Sequence, residues 1–239
     1  MPVLSPADAE RLRHAFLQCR EMQGTLRQQL EAYAAAGREI FPAYASAVDR
    51  LVARLDENGG GENAPRPGEP MPPFVLPDEA GRLVSLQSCL ARGPVAVMFF
   101  RGHWCPYCRL NVRAVIRAQD RIDAAGGAIV AIMPELQAFT QAFKSESDAS
   151  FPVLTDLDNG YALSLNLAIW LGHEIQALLA HQDLASFHGN DGRILPIPAA
   201  FVVGRDGLVT ARFVDPDFRK RMEIDDLVEA LRQAAAQGS

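Results

Sequence analysis

Two cysteines spaced three residues apart, Cys105 and Cys108, are the residues of this chain best suited to chemistry. They lie in the stretch FFRGHWCPYCRLNV, after an apolar run and before a segment with a helical pattern. Such a pair can bind a metal, crosslink the chain or exchange electrons as dithiol and disulfide. A structural zinc site needs four ligands, usually with a second paired motif. Neither the other cysteines, Cys19 and Cys89, nor the histidines supply one. The sequence therefore favours a redox pair and predicts no metal and no organic cofactor.

The position of Cys105, where a predicted strand ends and a helix begins, indicates a reactive thiolate. A helix N-terminus carries partial positive charge and free amide donors, which lower the pKa of a cysteine there. Cys108 lies one turn further along the same face, where it can attack the oxidised or mixed-disulfide form of Cys105. Pro106 suits a first helical turn. Arg101 and His103 could add positive charge, although solvated side chains are the simpler interpretation of both.

The elements that must position this pair follow a Gly- and Pro-rich stretch. The apolar runs PVAVMFF, GAIVAIM and FPVLTD predict buried strands. FVLPDEAGRLVSL predicts two short strands around a turn, and PAAFVVGRDGLVTARFV predicts a hairpin. Helices are expected at 106 to about 124, 135 to about 144, near Tyr161 and at 223 to 236. This alternation predicts a layered α/β fold with a mostly parallel sheet and an antiparallel hairpin at one side.

Residues 5 to 57 have helical periodicity. Ser5 and the residues after it resemble a helix start, and an apolar stripe runs from Leu12 to Tyr33 until Gly37 and Pro42 interrupt it. This face must be buried, either on the rest of the chain or on a second copy, so a homodimer through these helices stays an alternative. The predicted division is a helical region at 1–57, a linker and entry segment at 58–73 and an α/β domain at 74–239.

Composition excludes several classes of protein. The 239 residues carry a formal charge of −6, mixed along the chain, so neither nucleic acid nor a charged binding tail is indicated. No apolar run approaches the ~20 residues of a membrane span, and the N-terminal stretch lacks a secretion-type pattern, so a cytoplasmic protein is expected. Cys19 and Cys89 are interpreted as buried, inert thiols.

Two further patterns lie after residue 170. His173, His181 and His188 fall between predicted core elements, where a polar rim around the site is one interpretation. In LPIPAAFVV, Pro198 immediately precedes a buried strand, which is unusual because proline cannot donate to a strand ladder. It predicts a fixed backbone turn, of which a cis peptide bond is one form.

At these residues the chain resembles the thioredoxin-fold superfamily, and within it the AhpC/TSA peroxiredoxin-like proteins with an RGxWCPYC segment. The resemblance covers about residues 66 to 235. It implies a thioredoxin-like three-layer α/β fold with a central mixed β-sheet, to which this chain adds an N-terminal helical extension. It also implies that Cys105 attacks and Cys108 resolves. Trp104 matches the tryptophan before the thioredoxin pair, Pro198 matches the cis-proline that docks extended substrates, and Pro106-Tyr107 is the dipeptide of glutaredoxins.

Three positions depart from the family patterns. Gly102 stands where peroxiredoxins have a threonine or serine, and Pro198 stands where they have an arginine that activates the peroxide. Phe99 stands where thioredoxins have a buried aspartate. Arg101 or His103 could replace the missing charge.

The function predicted from these residues is a thiol oxidoreductase that reduces hydroperoxides through a Cys105/Cys108 dithiol–disulfide cycle. The substrate is expected to be a small hydroperoxide or disulfide, and the reductant a thioredoxin-like protein or glutathione. One alternative is a protein-disulfide reductase without efficient peroxidase activity, which Gly102 and Pro198 favour. Another is a redox sensor whose cysteine pair switches a helix-mediated dimer. Nucleic acid and membrane partners are not expected.

Overall fold

The N-terminal part of the chain consists of three helices. The computed structural model describes residues 4 to 237, and in it α1 (Pro6–Glu21), α2 (Leu26–Ile40) and α3 (Pro42–Glu57) follow one another closely. The Ser5 hydroxyl accepts the backbone N–H of Asp8, which caps α1 as the sequence predicts. Thr25 caps α2 in the same way, and its own backbone N–H donates in return to the side-chain oxygen of Gln28.

The apolar stripe predicted from Leu12 to Tyr33 is divided between α1 and α2. The chain turns between them at Gly24, whose φ of +135° is accessible to glycine at little cost. The break predicted at Gly37 is wrong, because Gly37 lies inside α2 with helical geometry. The helix instead ends just before Pro42, whose ring fits the first turn of α3.

The remaining elements form the α/β part of the molecule. In chain order they are β1 (Val75–Pro77), β2 (Leu83–Ser85), α4 (Leu86–Leu90), β3 (Val95–Phe99), α5 (Pro106–Arg117), α6 (Gln119–Ala124), β4 (Ala128–Met133), α7 (Gln137–Ser147), β5 (Val153–Thr155), α8 (Gly160–Ser164), β6 (Ala168–Trp170), α9 (Gly172–Leu178), α10 (Leu184–His188), β7 (Ile194–Pro196), β8 (Ala199–Val203), β9 (Val209–Val214) and α11 (Ile224–Gln237).

The central sheet has the strand order β5-β4-β3-β8-β9. β3, β4 and β5 are parallel, whereas β8 runs antiparallel to β3 and pairs with β9 as a hairpin. This is the mixed sheet with an antiparallel hairpin at one side that the sequence predicts. β1 and β2 form the predicted pair around a turn. β6 and β7 form a second small hairpin, which no sequence pattern predicts.

Alternate residues of the central strands face two separate hydrophobic layers. Along β3, Ala96 and Met98 pack into the layer formed by α5, α11 and the N-terminal helices. Val95, Val97 and Phe99 point to the opposite face, which Met71, Tyr161 and their apolar neighbours cover. Every residue of β3 is buried, which explains its continuous apolar sequence. The result is the three-layer arrangement of a thioredoxin-like fold.

The Gly- and Pro-rich segment before β1 lies along the edge strand β9. The N–H of Gly68 donates to the carbonyl of Val209, and the N–H of Val209 donates to the carbonyl of Glu69. Met71 is buried and bonds to the carbonyl of Gly207. The segment thus covers part of an otherwise open sheet edge. The division of the chain into residues 1–57, 58–73 and 74–239 stays a prediction.

The N-terminal helices pack on the rest of the chain. Their buried residues, including Leu30, Tyr33 and Leu51, belong to the same hydrophobic layer as α5 and α11. Helices α1 and α2 contact α5, while α3 contacts α9. A homodimer through the N-terminal helices stays a prediction. Among residues 4 to 237, no helix is both long enough and apolar enough to cross a bilayer.

Because the N-terminal helices share one core with the sheet, a cavity in α3 should destabilise the whole molecule. Leu51→Ala, at a buried position of α3, is expected to lower the free energy of unfolding by about 2–5 kcal/mol. Leu83→Ala, at an exposed position of β2, is the matched control and should change it by less than about 0.5 kcal/mol. Urea unfolding followed by circular dichroism measures both. Equal effects of the two substitutions would contradict the shared core.

Candidate active site

The cysteine pair lies at the junction between β3 and α5. Cys105 is the N-cap residue of α5 and Pro106 begins the helix, as predicted, while Cys108 follows in the first turn. Both cysteines are free thiols. They are also deeply buried, with 1% of Cys105 and 0% of Cys108 exposed. The pair is therefore inside the protein, although the sequence signal alone would suit a surface redox motif equally well.

Hydrogen-bond donors converge on Cys108. Its Sγ accepts the backbone N–H of Arg101 at 3.4 Å and the Nη2 of Arg221 at 3.5 Å. Burial raises the pKa of Cys108, but the hydrogen bond from Cys105, the charge of Arg221 and the Arg101 N–H together lower it to about 6. The pKa of Cys105 is raised instead, first by burial and then by its hydrogen bond to Cys108 and the charge there. The thiolate expected at Cys105 is thus better stabilised at Cys108.

Arg101 is a buried residue, and its interpretation as a solvated side chain is wrong. Only 2% of it is exposed, and its guanidinium lies 3.8 Å from the ring centroid of Phe218 and 5.1 Å from that of Trp104. Its Nη2 has no hydrogen-bond partner. The aromatic faces partly offset the cost of burying this charge. Phe218 and Arg221 come from the segment before α11, which the sequence analysis did not connect to the site.

A buried carboxylate holds the loop before the cysteines. Glu135, fully buried after β4, accepts the backbone N–H of His103 at 2.8 Å and pairs with its Nδ1 at 2.7 Å. The His103 ring also stacks on Phe139, with ring centroids 5.2 Å apart. His103 is therefore not the solvated side chain that was expected. Sequence reasoning missed Glu135, although an acidic residue two positions after a buried strand was an available signal.

The geometry of this loop explains the glycine at position 102. Gly102 has φ +145°, and a Cβ there would approach Trp104 Nε1 to 2.5 Å and Glu135 Oε1 to 2.6 Å. Real Cβ atoms do not make contacts this short, so the hydroxyl residue of related proteins does not fit without a shift of the loop. The carboxylate of Glu135 occupies the space that a side chain at position 102 would need.

The structure corrects the expectation at Pro198. No peptide bond is cis among the described residues, so the bond preceding Pro198 is trans. Pro198 is buried between β7 and β8. It lies in the two-residue connection by which the chain passes from the β6–β7 hairpin into the central sheet. Phe99 stacks on Tyr161 and contacts Phe201, so an aromatic cluster fills the position of the missing aspartate.

A cavity of about 120 Å³ opens beside Cys105. The N-terminal helices form much of its wall, and the buried residues Cys105 and Arg101 also line it. We call it the Cys105 cavity. Cys108 does not line it. Apolar and aromatic side chains predominate among its other lining residues, which include Tyr33, Phe41, Tyr44, Val48, Trp104 and Phe218. Pro106 and Tyr107 also line the cavity, so five of the residues singled out around the cysteine pair meet there. A ligand in this cavity therefore reaches Cys105 and not Cys108.

The remaining cysteines and histidines have different environments. Cys19 and Cys89 are buried, and burial raises the pKa of both thiols. His181 lines the Cys105 cavity, whereas the ring of His173 packs against that of Trp170. His188 is fully buried, and burial together with the charges of nearby basic side chains lowers its pKa to about 4. Within residues 4 to 237, no cluster of three or more His, Cys, Asp or Glu side chains could hold a metal.

The strand order, the two-faced sheet and the cysteine pair at a strand–helix junction define a thioredoxin-like fold. A profile of the AhpC/TSA family matches residues 67–212, which is more than half of the chain. The chain therefore belongs to the AhpC/TSA family. The matched segment begins after α3 and ends before Phe218 and Arg221, so parts of the site are contributed from outside it.

Individual proteins are similar to this chain in sequence or in fold. The chloroplastic peroxiredoxin Q of Sedum lineare is 30% identical over 92 residues, which cover 38% of this chain and 49% of that protein. The match thus spans about half the length of this relative. The fold is similar to that of the peroxidoxin BcpB from Mycobacterium tuberculosis, with a TM-score of 0.56, 20% identity, and coverage of 71% of this chain and 97% of that one. The fold is also similar to that of reduced Prx3 from Vibrio vulnificus in complex with hydrogen peroxide, with a TM-score of 0.55 and 19% identity. That match covers 70% of this chain and 98% of the other.

The donors around Cys108 predict the titration of the reduced protein. Its thiolate absorbance is expected to rise through a midpoint near pH 6. Arg221→Gln should move this midpoint upward by about one pH unit or more, because a positive charge is lost beside the sulfur. Arg113→Gln, at a half-buried arginine on α5 that pairs with Glu21, is the control and should leave the midpoint in place. An unchanged midpoint in Arg221→Gln would contradict the role of this arginine.

The ionisation of Cys108 also changes the free energy of unfolding with pH. A thiol whose pKa is lower in the folded state than in the unfolded state stabilises the fold above the unfolded pKa. This contribution is lost as the pH falls through the folded value near 6. Reduced protein should therefore gain stability between about pH 6 and pH 9 relative to Cys108→Ser, and urea unfolding across this range measures the difference.

The space around Gly102 predicts that a side chain there is harmful. Gly102→Ala is expected to destabilise the protein by at least about 1 kcal/mol more than Gly207→Ala. Both glycines have positive φ, but a Cβ at Gly207 meets no atom within 4 Å. Thermal unfolding compares the two variants. Gly102→Thr, which introduces the hydroxyl of related proteins, should not raise peroxidase activity. A more active Gly102→Thr enzyme would contradict the steric argument.

Proposed function

We propose that this chain is a thiol peroxidase in which Cys105 attacks a hydroperoxide and Cys108 resolves the product. The observation that supports the proposal is that the two buried cysteines have different surroundings. Cys105 faces the cavity, while Cys108 lies behind it among the donors that stabilise a thiolate. Membership of the AhpC/TSA family supports the peroxidase assignment.

The first step requires a proton transfer within the pair. The pKa of Cys105 is raised and that of Cys108 is lowered to about 6, so Cys105 carries the proton and Cys108 is the thiolate. When the proton moves from Cys105 to Cys108, the nucleophile forms at the sulfur that a substrate can reach. Cys108 thus serves as the general base for Cys105. The helix N-terminus and the nearby charge of Arg101 then stabilise the Cys105 thiolate.

The peroxide is reduced by two electrons at Cys105. The thiolate attacks the terminal oxygen, an S–O bond forms and the O–O bond breaks, and the other oxygen leaves as an alcohol or water after taking up a proton. Cys105 is then a sulfenic acid. Cys108 attacks this sulfur, the disulfide forms and water leaves. An external dithiol, a thioredoxin-like protein or glutathione, returns two electrons and two protons to the pair.

A protein-disulfide reductase is the second candidate. The replacement of the hydroxyl residue by Gly102 and of the arginine by Pro198 favours it, because the family's peroxide-activating groups are missing at these positions. The burial of Cys105 argues against it, since a protein disulfide would have to reach a sulfur that is 1% exposed. We also propose that the protein is cytoplasmic.

Stopped-flow reaction of the reduced protein with hydrogen peroxide tests the function. We expect a second-order rate constant well above that of a free thiol. Cys105→Ser should abolish the reaction, because no accessible nucleophile remains. Cys108→Ser should react slowly, since the general base is lost, and should accumulate a sulfenic acid at Cys105 that mass spectrometry detects. Cys89→Ala, a buried cysteine on the opposite face of the sheet, is the control and should react normally.

The same experiment separates the two candidates. A rate constant no greater than that of a free thiol, together with rapid reduction of a model disulfide, would replace the peroxidase by the disulfide reductase. Activity retained in Cys105→Ser would overturn the assignment of the attacking cysteine.

A further inference from the structure

A second cavity adjoins Arg221, the arginine that bonds to Cys108. Its volume is about 430 Å³, and it lies between α2, β9 and the segment that precedes α11. We call it the Arg221 groove, and its lining includes Leu30, Glu31, Phe213, Asp215, Lys220 and Arg221. Cys108 does not line it, whereas the Nη2 of Arg221 lies 3.5 Å from the Cys108 Sγ. Arg221 therefore contacts both the buried thiol and the groove.

The charge of Arg221 is not balanced in the way that the other charges of this groove are. The remaining cations that line it each pair with an acid: Arg27 with Glu223, Arg219 with Asp217, and Lys220 with Asp215. Arg221 pairs with no carboxylate among residues 4 to 237, and its hydrogen bonds go to two backbone carbonyls and to Cys108. Only 7% of Arg221 is exposed, and its Nε has no hydrogen-bond partner. A buried cation of this kind is costly unless a negative charge lies beside it.

The negative charge that balances Arg221 is the thiolate of Cys108, and this charge is not permanent. It disappears when Cys108 takes up a proton, below a pKa of about 6, and it would also disappear in a Cys105–Cys108 disulfide. The other charged or titratable groups around Arg221 are Cys105 and Arg101 on the side of the sulfur, and Glu31 with the ion pairs named above on the side of the groove. Once Cys108 is neutral, Arg221 is a buried charge without a counterion.

The walls of the groove define which anion fits. Leu30 and Phe213 give it an apolar surface, against which a carbon body gains binding energy. Glu31 and Asp217 line the same groove, and they repel a doubly charged anion such as phosphate more strongly than a single carboxylate. The groove thus favours a singly charged anion with an apolar body.

We propose that the Arg221 groove binds a small organic carboxylate, with its negative group beside the Arg221 guanidinium and its carbon body against Leu30 and Phe213. The carboxylate and the Cys108 thiolate then compete for one positive charge. Binding is tighter when Cys108 is neutral, and by reciprocity a bound carboxylate makes the thiolate harder to form. The groove is therefore a regulatory site for the cysteine pair. It requires only that Cys108 can ionise, whether the pair reduces a peroxide or a disulfide.

Cys108→Ser tests the competition, because serine removes the ionisable sulfur with little change in size. Butyrate is the probe, and its dissociation constant is read from the NMR shifts of backbone amides along the groove at about pH 8, where the wild-type thiol is ionised. Cys108→Ser is expected to bind butyrate about tenfold more tightly than the reduced wild type. Butyramide, which has the same body without the charge, should bind at least about tenfold more weakly than butyrate to Cys108→Ser. Equal affinity of the two proteins for butyrate would overturn the proposal.

Glu31→Gln tests the position of the site without a change near the cysteines. Loss of a negative charge from the wall should tighten butyrate binding about threefold. Glu39→Gln, at an exposed position of the same helix outside the groove, is the matched control and should keep the wild-type affinity. Arg221→Gln should abolish binding.

The reciprocal effect is measured on the thiol itself. Saturating butyrate should raise the midpoint of the thiolate titration in the reduced wild type, and butyramide should leave it in place. Equal affinities of Glu31→Gln and Glu39→Gln, tighter binding of inorganic phosphate than of butyrate, or no shift changes along the groove in any of these proteins would overturn the site. None of these results depends on peroxide turnover, so the proposed function and this site are tested separately.

Discussion

The arrangement of the whole site depends on a negative charge that has to be held inside the protein. Moving a thiolate from water into a buried position costs several kcal/mol unless donors and opposite charges replace the lost water. At Cys108 the Arg101 N–H and the guanidinium of Arg221 provide this replacement. Arg221 is itself fixed by the carbonyls of Phe218 and Lys220, which accept from its Nη1. The segment before α11 is therefore as much a part of the site as the cysteine motif.

The N-terminal helices make this electrostatic arrangement effective. By packing on α5 and α9 they keep bulk water away from the cysteines, and charge interactions strengthen when water is excluded. Aromatic residues of the same layer are buried next to the pair: Tyr33 and Tyr107 lie in edge contact with centroids 5.2 Å apart, and Tyr107 contacts Phe218 in the same way. Burial raises the pKa of both tyrosines, so these rings stay neutral and add no competing negative charge. The burial of the cysteines and the largely apolar cavity beside Cys105 are two consequences of one packing arrangement.

The sequence predicts those features that local patterns determine. The buried run before Cys105, the helix beginning at Pro106 and the β8–β9 hairpin all follow from short-range periodicity and turn residues. It does not predict the features that require distant segments to meet. Glu135, Arg221 and the walls of the Cys105 cavity come from parts of the chain without a motif of their own. Arg101 was misjudged for the same reason, because the ring of Phe218 that covers it lies more than a hundred positions away.

Several departures from the family patterns meet in the loop that precedes Cys105 and contains Gly102 and His103. Glu135 bonds to both the backbone N–H and the ring of His103, which fixes the loop before Cys105. The same carboxylate leaves no room for a side chain at position 102. Arg101, from the same loop, also lines the cavity, and its Nη2 has no hydrogen-bond partner. In place of the hydroxyl residue and the arginine of related proteins, the buried charged side chains near the cysteines are those of Arg101 and Glu135. A positive charge thus remains beside Cys105, where residues of α2 and α3 line the cavity, although positions 102 and 198 carry a glycine and a proline.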